Sequence, residues 1–68
     1  MRINVFFDRE DKKEGVELKE KSSVGELLSF LKINPVTVLV VKNKEIVLQD
    51  ELLSNNDEIK ILSVVSGG

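Results

Sequence analysis

Cysteine and histidine are both absent from the 68 residues of this chain. Their absence excludes disulfide bonds, zinc sites built from Cys and His, thiol nucleophiles and imidazole acid–base catalysis. We therefore do not expect an autonomous enzyme, and we expect no bound cofactor or metal. A chain of this length forms one compact domain, which we assign to residues 1–68.

A long apolar run and an excess of positive charge are also missing. No window approaches the ~18 apolar residues of a membrane span, and the acid Asp8 directly after a short apolar run is unlike a secretory signal. The formal net charge of -2 and the pI near 5.0 argue against a surface for nucleic acid, whose phosphates require a basic excess. We expect a cytoplasmic protein that binds neither nucleic acid nor a membrane.

The N-terminal third of the chain has the pattern of a β-hairpin. In residues 1–7 the apolar Ile3, Val5 and Phe7 alternate with Arg2, Asn4 and Phe6, as expected for a strand with one buried face. The charged segment 8–14 predicts a solvated turn. Val16 and Leu18 then resume the alternation, so a second strand returns antiparallel to the first.

A short helix follows the hairpin. Ser23 and Glu26 fit the capping box, in which each side chain accepts a hydrogen bond from a free backbone amide at the start of a helix. We expect the helix to stop before Asn34-Pro35, because proline disfavours helical geometry in its predecessor. Gly25 is expected to let the helix approach the sheet closely. The apolar stripe of the helix consists of Val24, Leu27, Leu28 and Leu31.

Three further strands are predicted in the C-terminal half. Residues 36–41 are almost entirely aliphatic, which is typical of an interior strand covered on both faces or nearly so. Asn43-Lys44 predicts a tight turn into a short strand at 46–48. Residues 50–57 predict a loop or a single helical turn held by one or both of its leucines, and residues 59–65 form the last strand.

The order strand, strand, helix, strand, strand, strand indicates an α+β protein of the β-grasp type. Its mixed sheet has four to five strands, and the one main helix covers one face of the sheet. By analogy with that fold, the last strand lies parallel to the first at the centre of the sheet. The C-terminal tail then leaves from a rigid element.

Two internal segments and the C-terminus resemble the ubiquitin-like sulfur-carrier family, which includes thiamine-pathway sulfur carriers, the molybdopterin synthase small subunit and archaeal small ubiquitin-like modifiers. Residues 40–47 (VVKNKEIV) are similar to its strand–turn–strand around Asn-Gly-Glu, and residues 53–59 (LSNNDEI) to its Gly-Asp-Glu segment. Lys44 and Asn56 stand where the family has glycine. The ending Val-Ser-Gly-Gly at 65–68 is the most specific part of the resemblance.

The resemblance implies chemistry at the carboxylate of Gly68, with Gly67 beside it. An E1-like enzyme uses ATP to adenylate this carboxylate, and a persulfide donor protein then converts it into a thiocarboxylate for delivery to an acceptor synthase. Alternatively, the activated Gly68 is joined to lysines of target proteins, as in the archaeal modifiers. A third reading is a non-covalent binding module whose glycines are incidental.

The tail suits entry into a partner's active site. Two residues without Cβ pass through a narrow channel and adopt backbone angles that are closed to other residues. The extended chain from Val65 to Gly68 reaches roughly 13 Å at ~3.3 Å per residue. We expect residues 66–68 to form a flexible tail that carries the carboxylate beyond the domain surface.

Strand alternation also predicts a docking face for a partner. If the odd-numbered side chains of the first strand face the helix, Phe6 lies on the opposite face of the sheet, where a one-helix fold provides no cover. Leu62 and Val64 are expected beside it, next to Val65 and Ser66 of the tail. A flipped register in the last strand, or cover by Lys and Glu stems, is the alternative.

Overall fold

The computed structural model describes residues 1–64, and a mixed sheet lies at the centre of the fold. Five strands, one α-helix and a 3-10 turn lie within this range. Their bounds are β1 (Arg2–Phe7), β2 (Lys12–Glu17), α1 (Val24–Phe30), the 3-10 turn (Pro35–Thr37), β3 (Val38–Lys42), β4 (Glu45–Val47) and β5 (Glu58–Ser63).

The strands lie in the order β2-β1-β5-β3-β4. β1 and β5 pair in parallel, with Val5 opposite Ile59, whereas the β1–β2, β3–β5 and β3–β4 pairs are antiparallel. The predicted α+β class and the predicted mixed sheet are confirmed, and so is the central, parallel position of the last strand.

The hairpin has a shorter turn than the sequence predicted. β2 begins at Lys12, inside the charged segment that we interpreted as a turn, and only the residues from Asp8 to Asp11 reverse the chain. β2 is an edge strand that pairs with β1 alone, and Val16 is its one buried residue. Charged side chains are tolerated in such a strand because most of them remain in water.

The predicted capping box starts the helix. The Ser23 Oγ accepts a hydrogen bond from the Glu26 amide, and Glu26 Oε1 accepts one from the Ser23 amide, both at 3.2 Å. The helix ends at Phe30, earlier than the stop before Asn34-Pro35 that the sequence predicted. Lys32 adopts a left-handed conformation (φ 60°), and the Ile33 amide donates to the Leu28 carbonyl at 2.9 Å, which closes the last turn as a Schellman motif.

Gly25 allows a close backbone approach, although its neighbour is not the sheet. The Gly25 amide donates to the Gln49 carbonyl at 2.8 Å, in the segment that follows β4. A Cβ at this position would lie 3.3 Å from that carbonyl oxygen. The first turn of α1 is thereby bound to the chain that connects β4 with β5.

The third strand begins later than predicted. Pro35 opens a 3-10 turn, Asn34 Oδ1 accepts a hydrogen bond from the Val36 amide at 3.0 Å, and Val36 is 77% exposed. Proline and an Asx cap favour a turn here over an extended strand. β3 is an interior strand as predicted, but within it only Val40 is buried and Leu39 is 42% exposed, so the predicted cover on both faces, or nearly so, was wrong.

One side of the sheet and the helix enclose the hydrophobic core. Leu53, and not Leu52, holds the 50–57 loop against this core, whereas Phe30 at the end of α1 is 60% exposed. The loop contains no helical turn. The buried core residues are Ile3, Val5, Val16, Val24, Leu27, Leu28, Val40, Leu53, Ile59 and Ile61.

Alanine substitutions in the helix should distinguish the residues of its buried stripe from those of its exposed end by their effect on stability. We expect Leu28→Ala to lower the free energy of unfolding by about 2–5 kcal/mol, because Leu28 is 1% exposed and the substitution leaves a cavity. Phe30→Ala removes a larger side chain but should change the free energy of unfolding by only about 0.5 kcal/mol. Urea denaturation of both variants is the measurement, and equal losses would contradict this packing.

Candidate functional site

The C-terminal tail starts from the centre of the sheet. β5 lies between β1 and β3, and its inward side chains Ile59 and Ile61 belong to the core. Just after the strand, the Val64 amide donates to the Thr37 carbonyl at 3.0 Å. The chain is therefore held by backbone pairing up to Val64.

Four of the predicted site residues lie outside the described part of the chain. These residues are Val65, Ser66, Gly67 and Gly68. The other three, Phe6, Leu62 and Val64, fall within it. Their roles in binding and activation stay predictions.

The sheet surface opposite α1, here called the outer face, brings apolar side chains together across three strands. The register places Phe6 and Val41 on either side of Lys60, and Leu62 opposite Leu39. Since Ile59, Ile61 and Val40 point into the core, their neighbours in the strands point to the outer face. The predicted register of β5 is therefore present, and the flipped register is excluded.

The outer face is only partly open to water. Phe6 and Leu62 are half-buried, whereas Val64 is 50% exposed. The Lys60 Nζ lies over the Phe6 ring, 5.5 Å from its centroid, within the range of a cation–π interaction. Phe6 is thus less exposed than strand alternation alone predicted, because a lysine stem covers it.

Sequence reasoning missed three apolar members of this face. Leu39 and Ile46 are 42% and 67% exposed, and Val41 is half-buried. They were overlooked because the aliphatic run 36–41 was interpreted as covered on both faces. The Asn43-Lys44 turn contained the missing signal, since a two-residue turn pairs Val41 with Ile46 on one face.

A polar cluster holds the start of β5 in place. Asp57, 7% exposed, accepts hydrogen bonds from the Ser54 amide at 2.7 Å and from Asn43 Nδ2 at 3.1 Å. Asn43 Oδ1 in turn accepts one from the Glu58 amide at 3.0 Å. These bonds tie the β3–β4 turn to the entrance of β5, so they help to set the position of the strand that precedes the tail.

Lys42 extends the polar cluster toward the β4–β5 connection. Its Nζ lies 2.8 Å from Glu51 Oε2, 3.1 Å from the Leu52 carbonyl and 4.0 Å from Asp57 Oδ2. The hydrogen bond from Lys42 to Glu51 raises the pKa of the ammonium above its ordinary value, although desolvation acts in the opposite direction. Lys42 therefore remains charged and bridges two segments of chain.

Within residues 1–64, no group of three or more carboxylates is arranged to hold a metal ion. In the same part of the chain, no helix is long and apolar enough to cross a membrane.

Removal of the Asp57 carboxylate should destabilise the fold. Asp57→Ala leaves the Ser54 amide and the Asn43 side chain without their acceptor, and we expect a loss of about 1–3 kcal/mol in the free energy of unfolding. Asp50→Ala, at an exposed position, is the matched control and should lie within about 0.5 kcal/mol of the unaltered protein. Chemical denaturation measures both, and similar values would refute the structural role of Asp57.

Comparison with known proteins gives consistent matches. Residues 4–68 match the model of the ThiS family. Over 53 residues the chain is 34% identical to the sulfur carrier protein TtuB of Thermus thermophilus, covering 78% of this chain and 82% of that protein.

Solved structures give the same fold. A putative molybdopterin converting factor subunit 1 from Pyrococcus furiosus superposes with a TM-score of 0.79 at 21% identity, covering 94% of this chain and 98% of that one. The thiamine biosynthesis protein ThiS from Geobacter metallireducens has a TM-score of 0.66 at 27% identity, with 96% and 99% covered. The predicted ubiquitin-like β-grasp fold is confirmed.

Proposed function

The chain belongs to the ThiS family, and from this membership we propose that it is a sulfur carrier protein that is activated at the carboxylate of Gly68. The observation that carries the proposal is the extent of the family match, which runs through residue 68 and so includes the Val-Ser-Gly-Gly ending. The relative from Thermus thermophilus is itself named a sulfur carrier. The position of β5 supports the same role, because the strand that precedes the C-terminal glycines is held between two others at the centre of the sheet.

The proposed chemistry begins with adenylation. A carboxylate is a poor acyl electrophile, so an E1-like enzyme lets an oxygen of the Gly68 carboxylate attack the α-phosphate of ATP, and pyrophosphate leaves. A terminal persulfide sulfur of a donor protein then attacks the acyl carbon and AMP leaves, which forms an acyl disulfide. A second thiol attacks the donor sulfur of that disulfide, releases the thiocarboxylate on Gly68, and is itself oxidised to a disulfide.

In this proposal the chain is a substrate and carrier. ATP is used by the partner enzyme, and the chain binds no cofactor of its own. Its partners are the adenylating enzyme, the persulfide donor and an acceptor synthase, all in the cytoplasm, and neither nucleic acid nor a membrane takes part.

The state of Gly68 in the native host tests the proposal. We expect intact-mass and peptide mass spectrometry under non-reducing conditions to find the mass gain of one oxygen-to-sulfur exchange on the C-terminal peptide. Gly68 joined to lysines of other proteins would instead identify a protein modifier. A carboxylate that stays unaltered under sulfur-demanding growth would refute activation at Gly68 and favour a non-covalent binding module.

A deletion of Gly67 and Gly68 is the matched control. The buried core lies within residues 1–64, so we expect the shortened protein to keep its melting temperature while losing sulfur loading completely. Loading that survives the deletion would contradict the proposed site.

We further propose that the adenylating enzyme docks on the outer face around Phe6, Leu62 and Val64, next to Val65 and Ser66 of the tail. Exposed apolar side chains beside a reactive terminus are the features of a protein interface. Lys60 supplies polar contact within the same surface.

Two pairs of variants test this docking surface. We expect Phe6→Ala and Val64→Ala each to raise the KM for the carrier in ATP–pyrophosphate exchange by about tenfold, as for interface residues worth more than 1 kcal/mol. Phe30→Ala and Val36→Ala are the matched controls, because both residues are exposed and neither lies in a strand of the sheet. Equal KM values for test and control variants would contradict docking here, while the sulfur-loading result would be unaffected.

A further inference from the structure

A groove of about 770 Å³ lies on the outer face at the end away from the tail. It is formed where the beginnings of β1 and β5 meet the middle of β2 and the β3–β4 turn. Lys60 on its floor precedes Val64 by four residues, which is about 13 Å along an extended strand. The groove is therefore close enough to the tail for one partner to contact both.

The groove collects positive charge on an acidic chain. The whole protein has a formal net charge of -2, yet the charged residues that line the groove comprise four basic and two acidic ones. All of them are exposed. They are Arg2, Lys13, Lys44 and Lys60 against Glu14 and Glu58, and Glu14, opposite Val5 in the register, turns its carboxylate to the other face of the sheet.

The cations of this basic groove are not neutralised by neighbours within the described chain. In residues 1–64 the ion pairs are those of Lys42 with Glu51 and Asp57, on the other side of the β3–β4 turn. The cations of the groove are thus available to a ligand or a partner.

The strand register brings two of the cations to either side of one aromatic ring. Phe6 lies opposite Lys13 of β2 and opposite Lys60 of β5. Because residues opposite one another share a face, both lysines lie on the same face of the sheet as this ring, and the Lys60 Nζ lies over it. A partner that covers Phe6 must also remove water from these two lysines.

Arg2 reaches the groove because Gly15 leaves space for it. A Cβ at Gly15 would lie 2.5 Å from Arg2 Nη2 and 2.9 Å from Cζ. The guanidinium therefore lies across the glycine of the neighbouring strand. Its planar fork suits a carboxylate, which it can bind through two parallel hydrogen bonds.

We propose that this basic groove receives an acidic segment of the adenylating enzyme, bearing Asp or Glu side chains, while the apolar part of the outer face and the tail bind the remainder of the docking surface. The inference rests on the proposed function. Its physical basis is desolvation, because cations buried against apolar side chains without a carboxylate partner oppose binding. Carboxylates of the enzyme that pair with these cations remove that penalty and accelerate the encounter of the two proteins.

Salt dependence is the first expected consequence. With a net charge of -2 the carrier as a whole does not attract an acidic surface, so attraction must come from this local patch. We expect the KM for the carrier, measured by ATP–pyrophosphate exchange with the adenylating enzyme purified from the native host, to rise steadily with NaCl concentration.

Charge reversal on adjacent residues of β2 provides the test. Lys13→Glu alters the groove, whereas Lys12→Glu makes the same change one residue away on the opposite face of the strand, opposite Phe7. Both side chains are exposed, so both variants should keep the melting temperature of the unaltered protein. We expect Lys13→Glu, and likewise Lys60→Glu, to raise the KM by about tenfold or more, and Lys12→Glu to change it less than about twofold.

A gain-of-affinity variant strengthens the test. Glu58→Gln removes the negative charge of an acidic residue that lines the groove and should lower the KM. Equal effects of Lys12→Glu and Lys13→Glu, or a KM that is independent of salt, would overturn the acidic-segment inference while Gly68 is still adenylated. If no enzyme of the host adenylates Gly68, the proposed function fails and the inference fails with it.

Discussion

The parallel pairing of β1 with β5 is the constraint on which the rest of this structure depends. It joins the first and last strands at the centre of the sheet and places Val5 and Ile59 side by side in the core. The connection is reinforced before β5 begins, because the Asn56 amide donates to the Arg2 carbonyl at 2.8 Å and the Asn4 amide to the Asp57 carbonyl at 3.0 Å. The last strand of the described chain is therefore held in place from both of its edges by most of the fold.

The single helix makes the two faces of the sheet different. By covering one side of a five-stranded sheet, α1 leaves the outer face to be covered by its own side chains or by a partner. Phe6 is half-buried under Lys60, and Leu39 and Ile46 stay largely exposed. The same register that produces the apolar area also concentrates cations at its far end, so packing and electrostatics of the proposed docking surface have one origin.

Two positions that the sequence resemblance led us to interpret as replaced glycines lie in the left-handed region of the backbone. Lys44 and Asn56 have φ values of 75° and 69° there. Asn tolerates this region better than Lys because its short side chain bonds locally. Lys44 is also one of the residues that line the basic groove, to which a glycine would bring no charge.

Much of the fold follows from local patterns in the sequence. The capping box at Ser23, the alternation in β1 and the inward positions of Ile59 and Ile61 were predictable because each depends on neighbours in the chain. The end of α1 and the start of β3 were not. A Schellman turn at Lys32 ends the helix earlier than proline alone suggested, and an Asx-capped turn at Pro35 delays the start of β3.

The sequence by itself determined the order of the elements, the alternation of their faces and the glycine tail at which chemistry is proposed. The tertiary structure alone decided that Leu39, Val41 and Ile46 share a face with Phe6, and that Arg2 and Lys13 share a groove with Lys44 and Lys60. The physical reason is that these neighbours are brought together by pairing between strands distant in the chain. Such pairing is set by the packing of the whole core, which no short stretch of sequence specifies.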